Sequence, residues 1–357
     1  MLSNLRFALY TFSCRAVDTL HLPPYKGSTL RGGFGATFRR VVCITRLPEC
    51  RPCILRAQCS YSYLFETPAL SNGHGAVAVG LSNTQPPTPT VGPKPGPQAP
   101  RTFDPHPFVI EPPAETKEIY RPGEAFRFNL VLIGKAIDYF PYFVLTFEEL
   151  GRQGVGRGRG RYQLESVSDG RPEGDQASHI SDQLIYDGIT RRLGNYDDKR
   201  PLQNGRAAEI AGLSPTCPPE RSRLTVRFLT PTRIQYQNRL TSDVTFEILL
   251  RALLRRLSLL SEVHCGEVLD LDYRKLIGNA REQVRTESAH LRWHDWERYS
   301  ARQDTRLKMG GFVGEITFAG RLAEFLPFLV LGQYLHVGKG TAFGLGKYEI
   351  VTGPPAP

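Results

Sequence analysis

Residues 134–162 read GKAIDYFPYFVLTFEELGRQGVGRGRGRY, and residues 320–348 read GRLAEFLPFLVLGQYLHVGKGTAFGLGKY. Offset by 186 positions, the two stretches align without a gap. Gly134, Pro141, Val144, Leu145, Gly154, Gly158, Gly160 and Tyr162 meet Gly320, Pro327, Val330, Leu331, Gly340, Gly344, Gly346 and Tyr348. Most other pairs are conservative, such as Asp138 with Glu324, Tyr139 with Phe325 and Arg161 with Lys347. A shared proline, three aligned glycines and a tyrosine in one block mark an internal duplication. The proline suits the first turn of a helix, where its missing N–H leaves no partner unsatisfied. In each copy a helix is therefore expected to run into a glycine-rich loop and then a strand.

The flanking sequence completes the unit. Residues 5–17 alternate as a strand, and 28–41 read as a helix with Ser28 or Thr29 as cap. Residues 126–134 are a strand and 137–151 a helix. The second half repeats the order with a strand at 223–234, an amphipathic helix at 243–260, a strand at 310–320 and a helix at 322–335. The expected fold class is α+β, with two tandem ferredoxin-like (RRM-like) β-α-β-β-α-β domains. The first spans 1–185, a linker 186–221 follows, and the second spans 222–357. The stretch 165–220 is polar and shows no clear period. The proline-rich run 83–100, inside a wider insertion 67–105, reads as an extended, solvated segment within the first domain.

The 357-residue chain carries a net charge of +10, with a pI near 9.3 and arginine as nearly all of the excess. Arginine forks onto phosphate and stacks on bases, so a nucleic-acid partner is expected before a membrane. A GC-rich coding sequence is the plainer source of arginine. No secretory leader is read at the N-terminus. No apolar run reaches the roughly 18 residues of a membrane helix. Seven cysteines, an odd number, fit a reduced cytoplasm.

HVGKGT at 336–341 invites a phosphate-loop reading, but the spacing fails. Gly332 is followed by five residues before Gly338, and Gly340 follows Lys339. The loop also leads from a helix to a strand, the reverse of a nucleotide loop. Two aligned glycine loops in a basic chain point instead to an RNA backbone. The first offers Arg152, Arg157, Arg159 and Arg161. The second offers Gly338, Gly340, Gly344, Gly346 and Lys347. Further candidates are Arg298 and Arg302, among the aromatics Trp293, Trp296 and Tyr299, and Arg251 and Arg255 beside Arg256 on the helix 243–260. A hairpin packed on the core and a solvated helix face are the plainer readings of these last two groups.

His336 lies at the mouth of the second loop, where the first copy has Leu150, and Lys339 stands where the first copy has Gln153. A histidine and a lysine gained together beside such a loop suit proton transfer and charge stabilisation. A helix C-terminal histidine facing the dipole is the alternative.

The tandem plan, with LRGGFGATFR, DPHPFVIEPP, LGRQGVGRGRGRY, WERYSARQ, GGFVGEITFAG and LHVGKGTAFGLGKYEI, resembles the CRISPR repeat-RNA-processing endoribonucleases, the Cas-six family of RAMP proteins. The resemblance implies cleavage of CRISPR precursor RNA within its repeats by 2′-hydroxyl transesterification. It implies no catalytic metal, retention of the crRNA, and contact with other Cas effector subunits. A non-cleaving RAMP subunit that holds guide RNA is the alternative, and a zinc-stabilised RNA-binding protein outside CRISPR systems a third. Many family members place a catalytic histidine in or near the first helix. Here that helix has none, so His21, Tyr25 and Arg31 join His336 and Lys339 as catalytic candidates.

Cys43, Cys50, Cys53 and Cys59 lie within 17 residues, with six, two and five residues between them. Four thiolates with one two-residue spacing suit a structural zinc site, and hence a small cysteine-rich, metal-binding insertion at 43–61. An iron–sulfur cluster and no metal are the alternatives.

Overall fold

The computed structural model describes residues 5–66, 104–170, 184–194, 222–300 and 305–351. The expected proline-rich segment, with His74, lies outside these residues, as do Arg302 and Cys217. The N-terminal unit runs β1 (Phe7–Ala16), α1 (Gly27–Val42), α2 (Ser60–Phe65), β2 (Phe108–Glu111), β3 (Ala125–Ile133), α3 (Phe140–Gln153) and β4 (Tyr162–Asp169). Two short strands follow, β5 (Leu184–Asp187) and β6 (Arg192–Leu193). The sheet order is β2-β3-β1-β4-β5-β6, with every neighbour antiparallel.

The C-terminal unit runs β7 (Ser222–Thr232), α4 (Phe246–Leu260), α5 (Tyr273–Gln283), β8 (Val284–His294), β9 (Gly311–Gly320), α6 (Leu326–Leu335) and β10 (Tyr348–Val351). Its order is β8-β9-β7-β10, again antiparallel. In both units the first strand lies between the third and the fourth, and the second is at the edge. This is the strand order of a ferredoxin-like domain, reached twice. The N-terminal sheet runs past residue 185 as far as Leu193, because β5 and β6 add to β4 within the stretch that showed no period.

The duplicated residues recur because the backbone needs them. Pro141 and Pro327 both sit in the first turn of their helices. Tyr162 and Tyr348 are buried, and their hydroxyls donate to helix carbonyls, Phe147 O at 2.8 Å and Leu329 O at 2.6 Å. Helix α1 begins at Gly27, one residue before the expected start, and neither Ser28 nor Thr29 caps it.

Alternation in β1–β3 divides the core. Tyr10, Phe12, Leu130 and Ile110 face α1 and α3, while Phe7, Leu9, Val109, Val131 and Ile133 join the C-terminal core. Phe7 meets Tyr334 of α6 at 5.6 Å between ring centroids. The N-terminal sheet is thus covered on both faces, which is why β2 and the end of β3 are apolar runs rather than alternating ones. The two units share this apolar seam, and at its end the glycine-rich loop after α6 meets the N-terminal unit.

Candidate nucleic-acid interface

The two glycine loops flank one segment, residues 19–27. On one side, Arg157 N donates to His21 O at 2.9 Å, and His21 and Arg157 form an antiparallel bridge. Gly156 and Gly160 approach so closely that an added Cβ would stand 2.2 Å from His21 O and 2.4 Å from Thr19 O. On the other side, Tyr25 Oη donates to Phe343 O at 2.7 Å. A Cβ on Gly27 would lie 2.0 Å from that same carbonyl. The glycines are therefore required by contacts of the chain with itself. Gly346 is the extreme case: φ is +76°, and an added Cβ would sit 1.9 Å from Val337 O.

The first loop faces outward. Arg157 and Arg159 are exposed, and among the described residues no side-chain partner holds them. His21 is exposed beside them on the short strand Leu20–His21. Residues directly opposite in an antiparallel pair project to the same side, so the His21 imidazole and the Arg157 guanidinium share a face. The other two arginines are engaged. Arg161 forks onto Asp18 at 2.7 and 3.1 Å, and Arg152 reaches Glu148 and Glu149 at 2.8 and 3.4 Å.

The second loop faces inward and buries His336, the leading catalytic candidate. His336 is fully buried at a φ of +62°. Its Nδ1 lies 3.0 Å from Leu345 O, and its Nε2 lies 2.8 Å from Glu111 Oε1 on β2. Both ring nitrogens are thereby engaged within the protein, and the ring is closed off from solvent. Lys347 Nζ, read as an RNA contact, reaches the other Glu111 oxygen at 2.8 Å, which Asn129 Nδ2 also approaches at 3.1 Å. Burial alone would raise the Glu111 pKa. The Lys347 charge and the His336 hydrogen bond outweigh burial and hold the carboxyl well below its usual range. Gly344 packs on Pro112 and Ile110 of the N-terminal unit. Only the tip turns to solvent: Lys339 is exposed, with Gly338 and Gly340 at positive φ around it. Partial desolvation and the charges of Arg233 and Arg255 hold the Lys339 pKa down, which places these three cations together.

Tyr25 and Arg31 also turn inward. Burial, and then the Glu111 charge, push the Tyr25 phenol well up, and the ring packs on Trp296 at 4.8 Å. Arg31 lies between the rings of Phe65 and Phe343, 4.9 Å from each, with Nη2 3.2 Å from His106 Nε2. Through Phe343 both residues join the two units. Trp296 is thereby occupied, while Trp293 is 42% exposed. Arg298 lies on the strand Glu297–Ser300, paired with Thr305–Lys308. On α4, Arg255 is exposed and Arg251 is ion-paired with Glu247 at 2.9 Å. Arg256 is buried and donates to Leu335 O at 2.8 Å, so the three arginines do not form one solvated face.

Glu111 was missed by sequence reasoning, being a single acid at the end of an apolar strand. His264 was missed too. Its Nε2 lies 2.8 Å from Pro105 O and its Nδ1 3.1 Å from the Tyr63 hydroxyl, a second polar link between the units. Burial lowers its pKa to about 4.

The four clustered cysteines, Cys43, Cys50, Cys53 and Cys59, line one cavity beside α1 and α2, and none is in a disulfide. Among the described residues no three His, Cys, Asp or Glu side chains stand in metal-binding geometry. No described helix is long and apolar enough to cross a membrane.

Comparison with known proteins accounts for both halves. Residues 5–197, more than half of the chain, match a family model described as the AF_1859_N N-terminal domain. Residues 226–348 match the family model CRISPR-associated endoribonuclease Cas6. An uncharacterized protein of Archaeoglobus fulgidus is 23% identical over 337 residues, covering 92% of this chain and 93% of that protein. The solved Cas6 (TTHB231) product complex aligns over 97% of this chain and 100% of its own, at 16% identity and a TM-score of 0.52. Thermus thermophilus Cas6 (TTHB231) aligns over 97% and 99%, at 16% identity and a TM-score of 0.49. At that identity the product complex is a match of fold. The N-terminal match covers more than half of the chain, which therefore belongs to the family described as AF_1859_N, and its C-terminal unit matches the model of the CRISPR-associated endoribonuclease Cas6.

Proposed function

We propose that this chain is an endoribonuclease that cuts CRISPR precursor RNA within its repeats and retains the product. The supporting observation is exposed His21, whose backbone is bridged to Arg157 of the first glycine loop, on a segment that the second loop also meets. Transesterification needs one group to take the 2′-hydroxyl proton, one to return a proton to the 5′-oxygen, and cations on the phosphorane. His21 takes one of the two proton steps in this reading. Arg157 and Arg159 supply the charge, and no metal is required for these roles. Tyr25 acts as a positioning residue, fixing the segment through Phe343 O. Lys339, Arg233 and Arg255 extend the cationic surface for the RNA backbone.

The test is a labelled repeat RNA incubated with the chain in EDTA. We expect cleavage that a 2′-deoxy substitution at the cut abolishes, and slow release of the product. Loss of cleavage in His21→Ala with RNA binding kept supports the assignment. Tight binding of RNA that stays intact under every condition would overturn it in favour of a guide-holding subunit.

A further inference from the structure

We propose that Cys43, Cys50, Cys53 and Cys59 bind one zinc ion as a tetrathiolate that staples the loop between α1 and α2. The inference is independent of RNA cleavage. All four thiols line the same cavity, walled also by Val42, Tyr61 and Tyr142. Cys50 and Cys53 stand on one tight turn, with Cys53 N donating to Cys50 O at 3.2 Å, as a knuckle supplying two ligands requires. Cys43 and Cys53 both approach Thr45 Oγ1, at 3.9 and 3.5 Å.

Apart from Arg39, whose guanidinium bonds two of its carbonyls, the loop has few internal ties. It forms no helix or strand between Cys43 and Cys59. Ile54 and Ile44 point outward, 91% and 82% exposed. Its backbone hydrogen bonds are local turns, such as Arg56 N to Cys53 O and Gln58 N to Leu55 O, both 3.1 Å. A loop of this length without an apolar anchor needs a staple, and metal binding supplies folding energy directly.

The Arg39 side chain holds the loop by donating to Leu47 O and Pro48 O at 2.5 and 2.6 Å, and its charge lies beside Cys50. A zinc tetrathiolate carries two negative charges, which such a cation offsets. Binding draws the sulfurs inward, displaces the Thr45 hydroxyl from between Cys43 and Cys53, and releases four thiol protons. The six-two-five spacing departs from the ferredoxin cysteine runs, which favours a single ion over an iron–sulfur cluster.

The test is the zinc content of the full chain purified without chelator. We expect about one zinc per chain, released in step with mercurial modification of four thiols. Cys50→Ser and Cys53→Ser are expected to lose most of it, and Cys265→Ser to keep it. If the serine variants do not fold, cobalt reconstitution of the wild-type chain gives the readout, through thiolate-to-cobalt charge-transfer absorption. Zinc below about a tenth per chain, with all four thiols freely reactive in the native protein, would overturn the proposal. Iron with acid-labile sulfide would overturn it as well.

Discussion

The two copies of the helix–glycine loop unit have nearly the same sequence pattern and opposite duties. In the first, α3 continues to Gln153, Leu150 packs on Gly33, and the short loop leaves Arg157 and Arg159 in solvent. In the second, α6 stops at Leu335, one turn earlier in the shared alignment, and the loop is longer by that turn. His336, aligned with Leu150, is the residue at which the helix ends. The extra loop folds back on β2 and α1 and closes the seam through Glu111, His336 and Lys347. One substitution at a helix end thus goes with the conversion of an outward-facing loop into a clamp between domains. Under the proposed function the comparison separates recognition from assembly: the outward copy would serve RNA, and the inward copy aligns the two units.

Breaking the clamp should cost most. Glu111→Ala leaves the buried His336 and the lysine without their carboxylate, and a loss of about 3–5 kcal/mol is expected in urea unfolding. The pH dependence follows from the depressed Glu111 pKa. The stabilisation is complete above the unfolded glutamate pKa of about 4.3 and is lost as pH falls below it. The gap in unfolding midpoint between wild type and Glu111→Gln should therefore hold at neutral pH and narrow below about pH 4. A gap independent of pH would remove Glu111 from the clamp.

Stripping the outward copy should act on RNA alone. Arg157→Ala with Arg159→Ala is expected to weaken repeat-RNA binding roughly tenfold and to lower the salt slope by about one to two, without moving the melting temperature. Arg152→Ala, already engaged by two glutamates, should change binding less. His336→Leu returns the helix end to the residue of the first copy. It should cost about 1–3 kcal/mol of stability, because Leu345 O and Glu111 lose the imidazole they contact. Cleavage by the folded fraction should persist. Arg251→Ala should have the smallest effect, under about 1 kcal/mol, since Arg251 is spent on an i,i+4 pair with Glu247.

The fold was legible because the duplicated positions are backbone requirements. A first-turn proline, glycines at positive φ and a buried tyrosine keep their reasons in both copies. The strand β2 was less legible, being four buried residues bounded by prolines with no alternation to mark it. The candidate site was legible in part. His21 and the loop arginines were named, but the divergence of His336 from Leu150 was read as acquired chemistry. Its partner, Glu111, lies 225 positions away, and no local pattern connects the two. Tyr25 and Arg31 are alike in this, since their partners Phe343 and His106 also lie far off in the sequence.

The central claim is that chemistry belongs to the outward copy and its neighbour His21. Single-turnover cleavage of a repeat RNA in EDTA, with affinity measured in parallel, tests it most directly on His21→Ala and His336→Leu. The account predicts that His21→Ala slows cleavage by about 10²–10⁴-fold with affinity nearly unchanged, while folded His336→Leu cuts at close to the wild-type rate. Full activity in His21→Ala, or its loss in folded His336→Leu, would contradict it.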